Sequence, residues 1–150
     1  MQTKIIATVG EKELEEQIND FVIGKNVIDI KFTEWVSYEN QAGGYTAYIL
    51  YDETNPPTIN IQVKVIPANG ELELESIINP FIKGRKVIDI KFTEWAEYSE
   101  KAGGYSALII YQAEPNNLSL NRKPIRENNT PKTSLEESPK PAKHKLFDVI

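Results

Sequence analysis

At 150 residues the chain has room for one domain or two very small ones, and with 40% hydrophobic and 26% charged residues it reads as globular. It contains no cysteine, which excludes disulfides, thiolate metal sites and thiol nucleophiles. The net charge of −5 is uneven. With ten Lys and Arg against seventeen Asp and Glu, the part up to Tyr111 carries about −7 and the remainder about +2. An acidic body of this kind repels phosphate backbones and anionic membranes and suits a basic protein surface.

The chain opens with Lys4-Ile5-Ile6-Ala7-Thr8-Val9, rich in strand formers and unlike the charged start and long apolar middle of a signal peptide. No apolar run reaches the ~18 residues of a membrane span, so a soluble, cytoplasmic protein is expected. A helix follows. Leu14, Ile18, Phe21 and Val22 recur at i, i+4, i+7 and i+8 as one apolar stripe. Glu11, Glu13, Glu15 and Glu16 crowd its first turns, where the helix dipole favours anions, and Gly24 stands at the C-terminal stop. A second strand alternates, with Ile28, Ile30 and Phe32 toward a core and Asp29, Lys31 and Thr33 toward water. Ala42-Gly43-Gly44-Tyr45 leads into a third strand, Tyr45 to Tyr51, that is apolar on both faces and suits a central position. The glycines are expected to supply positive φ there.

Displaced by sixty positions, the chain then matches itself without a gap. Val27 to Trp35 returns unchanged as Val87 to Trp95, and 29 of the 51 positions from Met1 to Tyr51 are identical, the mark of an internal repeat. The expected fold class is α+β. It comprises two tandem βαββ modules, each a three-stranded antiparallel sheet in the order 2-3-1 with one helix. Module 1 spans 1–53, a stiff linker with Pro56 and Pro57 spans 54–60, and module 2 spans 61–113. A sheet covered by a helix on one face only needs a partner for the other. Tyr48, Leu50, Leu108 and Ile110 lie on that second face. The modules are expected to pack as a pseudo-dimer about a pseudo-twofold axis, either edge to edge or face to face. Phe32 and Phe92 are both expected in the core. Pro80, which stands where the first helix has Asp20, is expected to end or kink the second helix near Asn79.

From Glu114 to Ile150 the texture turns polar, with Pro115, Pro124, Pro131, Pro139 and Pro141. Too little apolar surface remains to offset chain entropy, so a disordered tail is expected. It ends on Leu146, Phe147, Val149 and Ile150. This apolar tip either packs back on the body or docks on a partner as a tethered peptide.

No constellation of catalytic or metal-ligating residues emerges, and no cofactor is expected. Asp29 and Glu34, repeated as Asp89 and Glu94, lie five apart on an alternating strand and point to opposite faces. The single histidine, His144, falls in the tail. Ala42-Gly43-Gly44-Tyr45 precedes a strand rather than a helix and is no phosphate loop. The repeated aromatics are the most informative set. Trp35, Tyr38 and Tyr45 flank one loop, Trp95, Tyr98 and Tyr105 flank its copy, and Lys31 and Lys91 stand near them. Each tryptophan is either covered by the sister module or a partner, or exposed for ligand stacking.

Val-Ile-Asp-Ile-Lys-Phe-Thr, preceded by an acidic helix and followed by Gly-Tyr-Ser-Ala-Leu-Ile-Ile-Tyr, resembles a family of short acidic sporulation-associated proteins. They consist of a domain of ~60 residues found in Gram-positive bacteria and their phages. The resemblance covers Lys4 to Tyr51 and Lys64 to Tyr111 and implies a fold rather than an activity. This chain departs from the family pattern in being duplicated and tailed. Two functions follow as expectations. One is a non-enzymatic interaction or inhibitor module whose partner is another protein with a basic surface, or a second copy in a homo-oligomer; in this reading the chain is a phage or mobile-element accessory protein. The other is a binder of a nucleotide or a single-stranded nucleic acid through Lys31, Trp35 and their repeats.

Overall fold

In the computed structural model, residues 1–37, 39, 42–97 and 102–115 are described. The element order is β1 (Gln2–Thr8), α1 (Glu11–Val22), β2 (Asn26–Ser37), β3 (Ala42–Asp52), β4 (Ile61–Ala68), α2 (Glu71–Ile82), β5 (Val87–Glu97) and β6 (Ala102–Gln112). Two separate three-stranded antiparallel sheets form, in the orders β1-β3-β2 and β4-β6-β5, as the repeat predicts. No helix among the described residues is long and apolar enough to cross a membrane. Tyr38 and Tyr98, and the tail beyond Pro115 with its apolar tip, lie outside the described residues.

The elements follow from local chemistry. Gly10 and Gly70 precede the helices in extended conformation. Glu11 and Glu13, and Glu71 and Glu73, occupy the first turns, where unpaired N–H groups attract carboxylates. Gly24 and Gly84 adopt φ 68° and 78° and end the helices, as left-handed glycines do. Pro80 does not shorten α2, which has the same 12 residues as α1. The proline falls in the last turn, and Phe81 beyond it is anchored edge-on to Tyr111, with ring centroids 5.4 Å apart.

Two local expectations need correction. Both β2 and β5 carry a bulge, between Val27 and Asp29 and between Val87 and Asp89. Ile28 and Ile88 are therefore the extra residues, and they lie exposed instead of joining the core face. Gly43 and Gly44 do not adopt positive φ, which among the described glycines is confined to Gly24 and Gly84. Their reason is steric. A Cβ on Gly44 would lie 2.7 Å from the Thr8 carbonyl oxygen and 2.8 Å from Trp35 Nε1, and one on Gly104 would lie 2.8 Å from Trp95 Nε1. The indole lies across the glycine paired with it in the ladder.

Each sheet has a front, which carries its own helix, and a back. On the first sheet the front presents Ile6, Ile30, Phe32, Ala47 and Ile49. On the second sheet Val63, Val65, Leu108 and Ile110 form the back. These two sets, with Leu14, Ile18 and Val22 of α1, make up one buried core. Helix α1 thus lies between its own sheet and β4, while β2 packs on β5 and α2 rests on β4 and β6 of its own module. The expected pseudo-twofold interface is not what forms. The front of module 1 meets the back of module 2, and α2 makes no comparable contact with module 1. The fate of identical residues follows from this asymmetry: Phe32 is 6% exposed and Phe92 is 67% exposed. Phe92 is not a core residue, because no second sheet lies over it. Residues Met1–Ala113 form one compact unit.

Candidate interaction surface

The front-to-back packing divides the repeated aromatic and lysine set. Lys31 and Trp35 lie on the open back of the first sheet. Tyr45 points to the other face and is buried, its hydroxyl 3.0 Å from Ser106 Oγ across the module junction. Burial pushes the Tyr45 phenol far above its ordinary pKa, the Ser106 bond opposing this, with Glu34 and Glu11 adding to the rise. Tyr45 is therefore part of the junction and not of a ligand face.

Lys91 and Trp95 occupy the equivalent back of the second sheet, but that face is covered by module 1. Lys91 Nζ sits 2.6 Å from Asp89 and 3.4 Å from Asp29. The Asp89 hydrogen bond raises the lysine above its ordinary value, and the Lys91 hydrogen bond lowers Asp89. Tyr105 lies on the front of module 2, where the Glu94 carboxylate raises its phenol.

Two apolar surfaces stay open. On the back of module 1, Ile5, Tyr48 and Lys31 form a row across the three strands, since Ile5 and Lys31 both pair with Tyr48 in register. Trp35 flanks it over Gly44. Ile5, Trp35 and Tyr48 are 56%, 50% and 48% exposed, large apolar side chains on one open face of the kind that marks an interaction site. On the front of module 2, Phe92, Leu72 and Ile77 are exposed. Leu72 and Ile77 stand where the first repeat has Lys12 and Gln17. That loss of polarity on one helix was the sequence signal for the second surface, and periodicity within a single repeat misses it.

A cleft of ≈ 220 Å³ opens at the junction between the two bulges, walled by Ile28, Ile59, Ile88, Asp29 and Asp89. Both of its carboxylates are engaged by Lys91. Asp52, in the turn after β3, accepts hydrogen bonds from Thr54 and Asn55 that lower its pKa, which pins the start of the linker. Among the described residues no group of three or more His, Cys, Asp or Glu side chains is placed to hold a metal ion. Compared with protein-family models, with curated proteins and with solved structures, the chain shows no significant match.

Proposed function

We propose that the chain is a non-enzymatic protein-interaction module that acts in the cytoplasm and binds other protein through its two open apolar faces. The observation that carries this reading is the exposure of Ile5, Tyr48 and Trp35 on one face of the first sheet. A half-exposed tryptophan, tyrosine and isoleucine on a flat sheet supply the aromatic anchors that interface cores favour. The acidic character of the repeats suits a partner with a basic rim. The resemblance to short acidic sporulation-associated proteins directs the search for that partner to a Gram-positive bacterium or its phages, where inhibition by masking a surface is one outcome of binding.

The half-exposed Trp35 on the same open face as Lys31 also supports a second reading, a stacking platform for a nucleotide or a single strand. The negative charge of the body opposes it. Capture from such a host with the full chain and with a Trp35→Ala/Tyr48→Ser variant tests the first reading. A bound protein retained by the wild type and lost by the variant is expected. Titration of ATP and of oligothymidylate, followed by tryptophan fluorescence, tests the second. No saturable quench is expected, and a saturable one would replace the first reading with the second.

A further inference from the structure

The junction between the modules is heterologous, and the chain contains each side of it twice. Four sets of polar contacts define it. The Asn19 side chain in α1 donates to the Val63 carbonyl at 3.0 Å and accepts from the Val63 N–H at 2.7 Å, satisfying the edge of β4. Glu15 accepts from the Val65 N–H at 2.9 Å and pairs with Lys64 at 3.4 Å. Tyr45 meets Ser106, and Glu34 accepts from Thr93 at 3.2 Å. Asn19, Glu15, Tyr45 and Glu34 belong to the front of module 1, and they meet edge strand β4 and the back of module 2.

The repeat places the same groups on the faces that remain open. On the front of module 2, Asn79, Glu75, Tyr105 and Glu94 stand sixty positions after the four front groups. On the back of module 1, the backbone of edge strand β1 at Thr3 and Ile5 stands where Val63 and Val65 do. Lys4, Thr46 and Thr33 stand for Lys64, Ser106 and Thr93. Each pair keeps its chemistry: amide to backbone, carboxylate to lysine and N–H, phenol to hydroxyl, carboxylate to hydroxyl. Asn79, Glu75 and Lys31 have no partner among the described residues. The apolar groups match in kind, with Leu74, Ile78 and Phe92 for Leu14, Ile18 and Phe32, and Ile5 and Leu50 for Val65 and Ile110.

We infer that the front of module 2 docks on the back of module 1 of a second copy of this chain, repeating the internal junction between molecules. This rests on the protein-interaction reading above and names the partner. An unsatisfied heterologous pair of surfaces propagates head to tail, as a ring if the rotation closes and as a filament if it does not. The internal junction forms at the high effective concentration set by a short linker, so the contact between chains is the weaker of the two and depends on protein concentration.

Sedimentation equilibrium of the full chain from about 10 μM to about 1 mM, a range that reaches short-linker effective concentrations, tests this. The wild type is compared with a front-altered chain, Glu75→Lys/Asn79→Lys, and a back-altered chain, Lys31→Glu/Tyr48→Glu. All four residues are exposed and none holds the fold, so both variants keep the wild-type melting temperature. The wild type is expected to rise above its monomer mass of 17.0 kDa with concentration, and each variant to stay monomeric. An equimolar mixture of the two variants is expected to form a species that stops at the dimer, because it has one intact front facing one intact back. That complementation also shows that both variants are folded. A wild type that stays at 17.0 kDa throughout, a variant that associates as the wild type does, or a mixture that stays monomeric overturns the inference. A monomeric wild type that still loses its captured host protein on Trp35→Ala/Tyr48→Ser overturns self-docking alone; losing both results removes the interaction reading as well.

Discussion

Phe32 and Phe92 have the same neighbours in sequence and opposite fates in the fold. The second sheet buries Phe32, whereas Phe92 looks outward from the front of module 2. In urea melts of dilute protein, Phe32→Ala is therefore expected to cost about 3–5 kcal/mol, the usual loss for a buried phenylalanine. Phe92→Ala is expected to stay within about 0.5 kcal/mol, as exposed changes do. Equal losses would mean that the modules do not pack front to back. Tyr45 and Ser106 sit at the same junction. Because burial raises the Tyr45 phenol above its ordinary 10.0, the folded chain keeps a proton that the unfolded chain releases near that pH. Stability is then fully present below about pH 10 and falls as the pH rises above it. Tyr45→Phe is expected to cost about 1 kcal/mol at neutral pH and to flatten the alkaline decline. Urea midpoints at pH values either side of 10 read both effects; a decline as steep in Tyr45→Phe as in the wild type would assign the proton elsewhere.

Among the elements, α1 and α2 share a length and differ in role. Asn19 binds both backbone groups of Val63 on the edge of β4, which blunts an exposed strand edge. Removing it leaves buried backbone groups unpaired. Asn19→Ala is expected to cost about 1–3 kcal/mol, and Asn79→Ala in the second helix close to nothing in dilute solution, both measured by thermal melts. The hairpin between β2 and β3 depends on a different constraint. The Trp35 indole covers Gly44 so closely that Gly44→Ala must displace either the ring or the strand holding Thr8. A blue-to-red shift of Trp35 emission with a loss of stability is expected; unchanged emission would show that the ring does not lie there.

Residues Met1–Ala113 are bound by a core that neither module contains alone. Val63, Val65, Leu108 and Ile110 are buried in one cluster with α1 and the front of the first sheet. A single ~60-residue unit without disulfides has a thin core in any case. The chain is therefore expected to unfold in one cooperative step. Trp95→Phe leaves Trp35 to report on module 1, and Trp35→Phe leaves Trp95 to report on module 2. Coincident urea transitions for the two variants are the two-state result. Separated transitions would show modules that fold independently.

The sequence by itself determined each module: the repeat, the 3.6 and 2.0 periodicities, the acidic helix starts and Gly24 and Gly84 specified βαββ twice over and the strand order of each sheet. These are local signals, carried by neighbours within one repeat. The bulges at Ile28 and Ile88 escaped because alternation alone does not reveal an extra residue that the partner strand skips. Only the tertiary structure decided which of two identical surfaces is covered. Duplication gives both modules the same front and the same back, so nothing in the repeat distinguishes a twofold contact from a front-to-back one. That choice is made by the shapes and hydrogen-bonding groups that meet at the junction, where Asn19, Glu15, Tyr45 and Glu34 find partners on the second sheet. It moved Tyr45 from a candidate ligand face into the core, left Trp35 half-exposed, and turned two like modules into one unit with two unlike open faces.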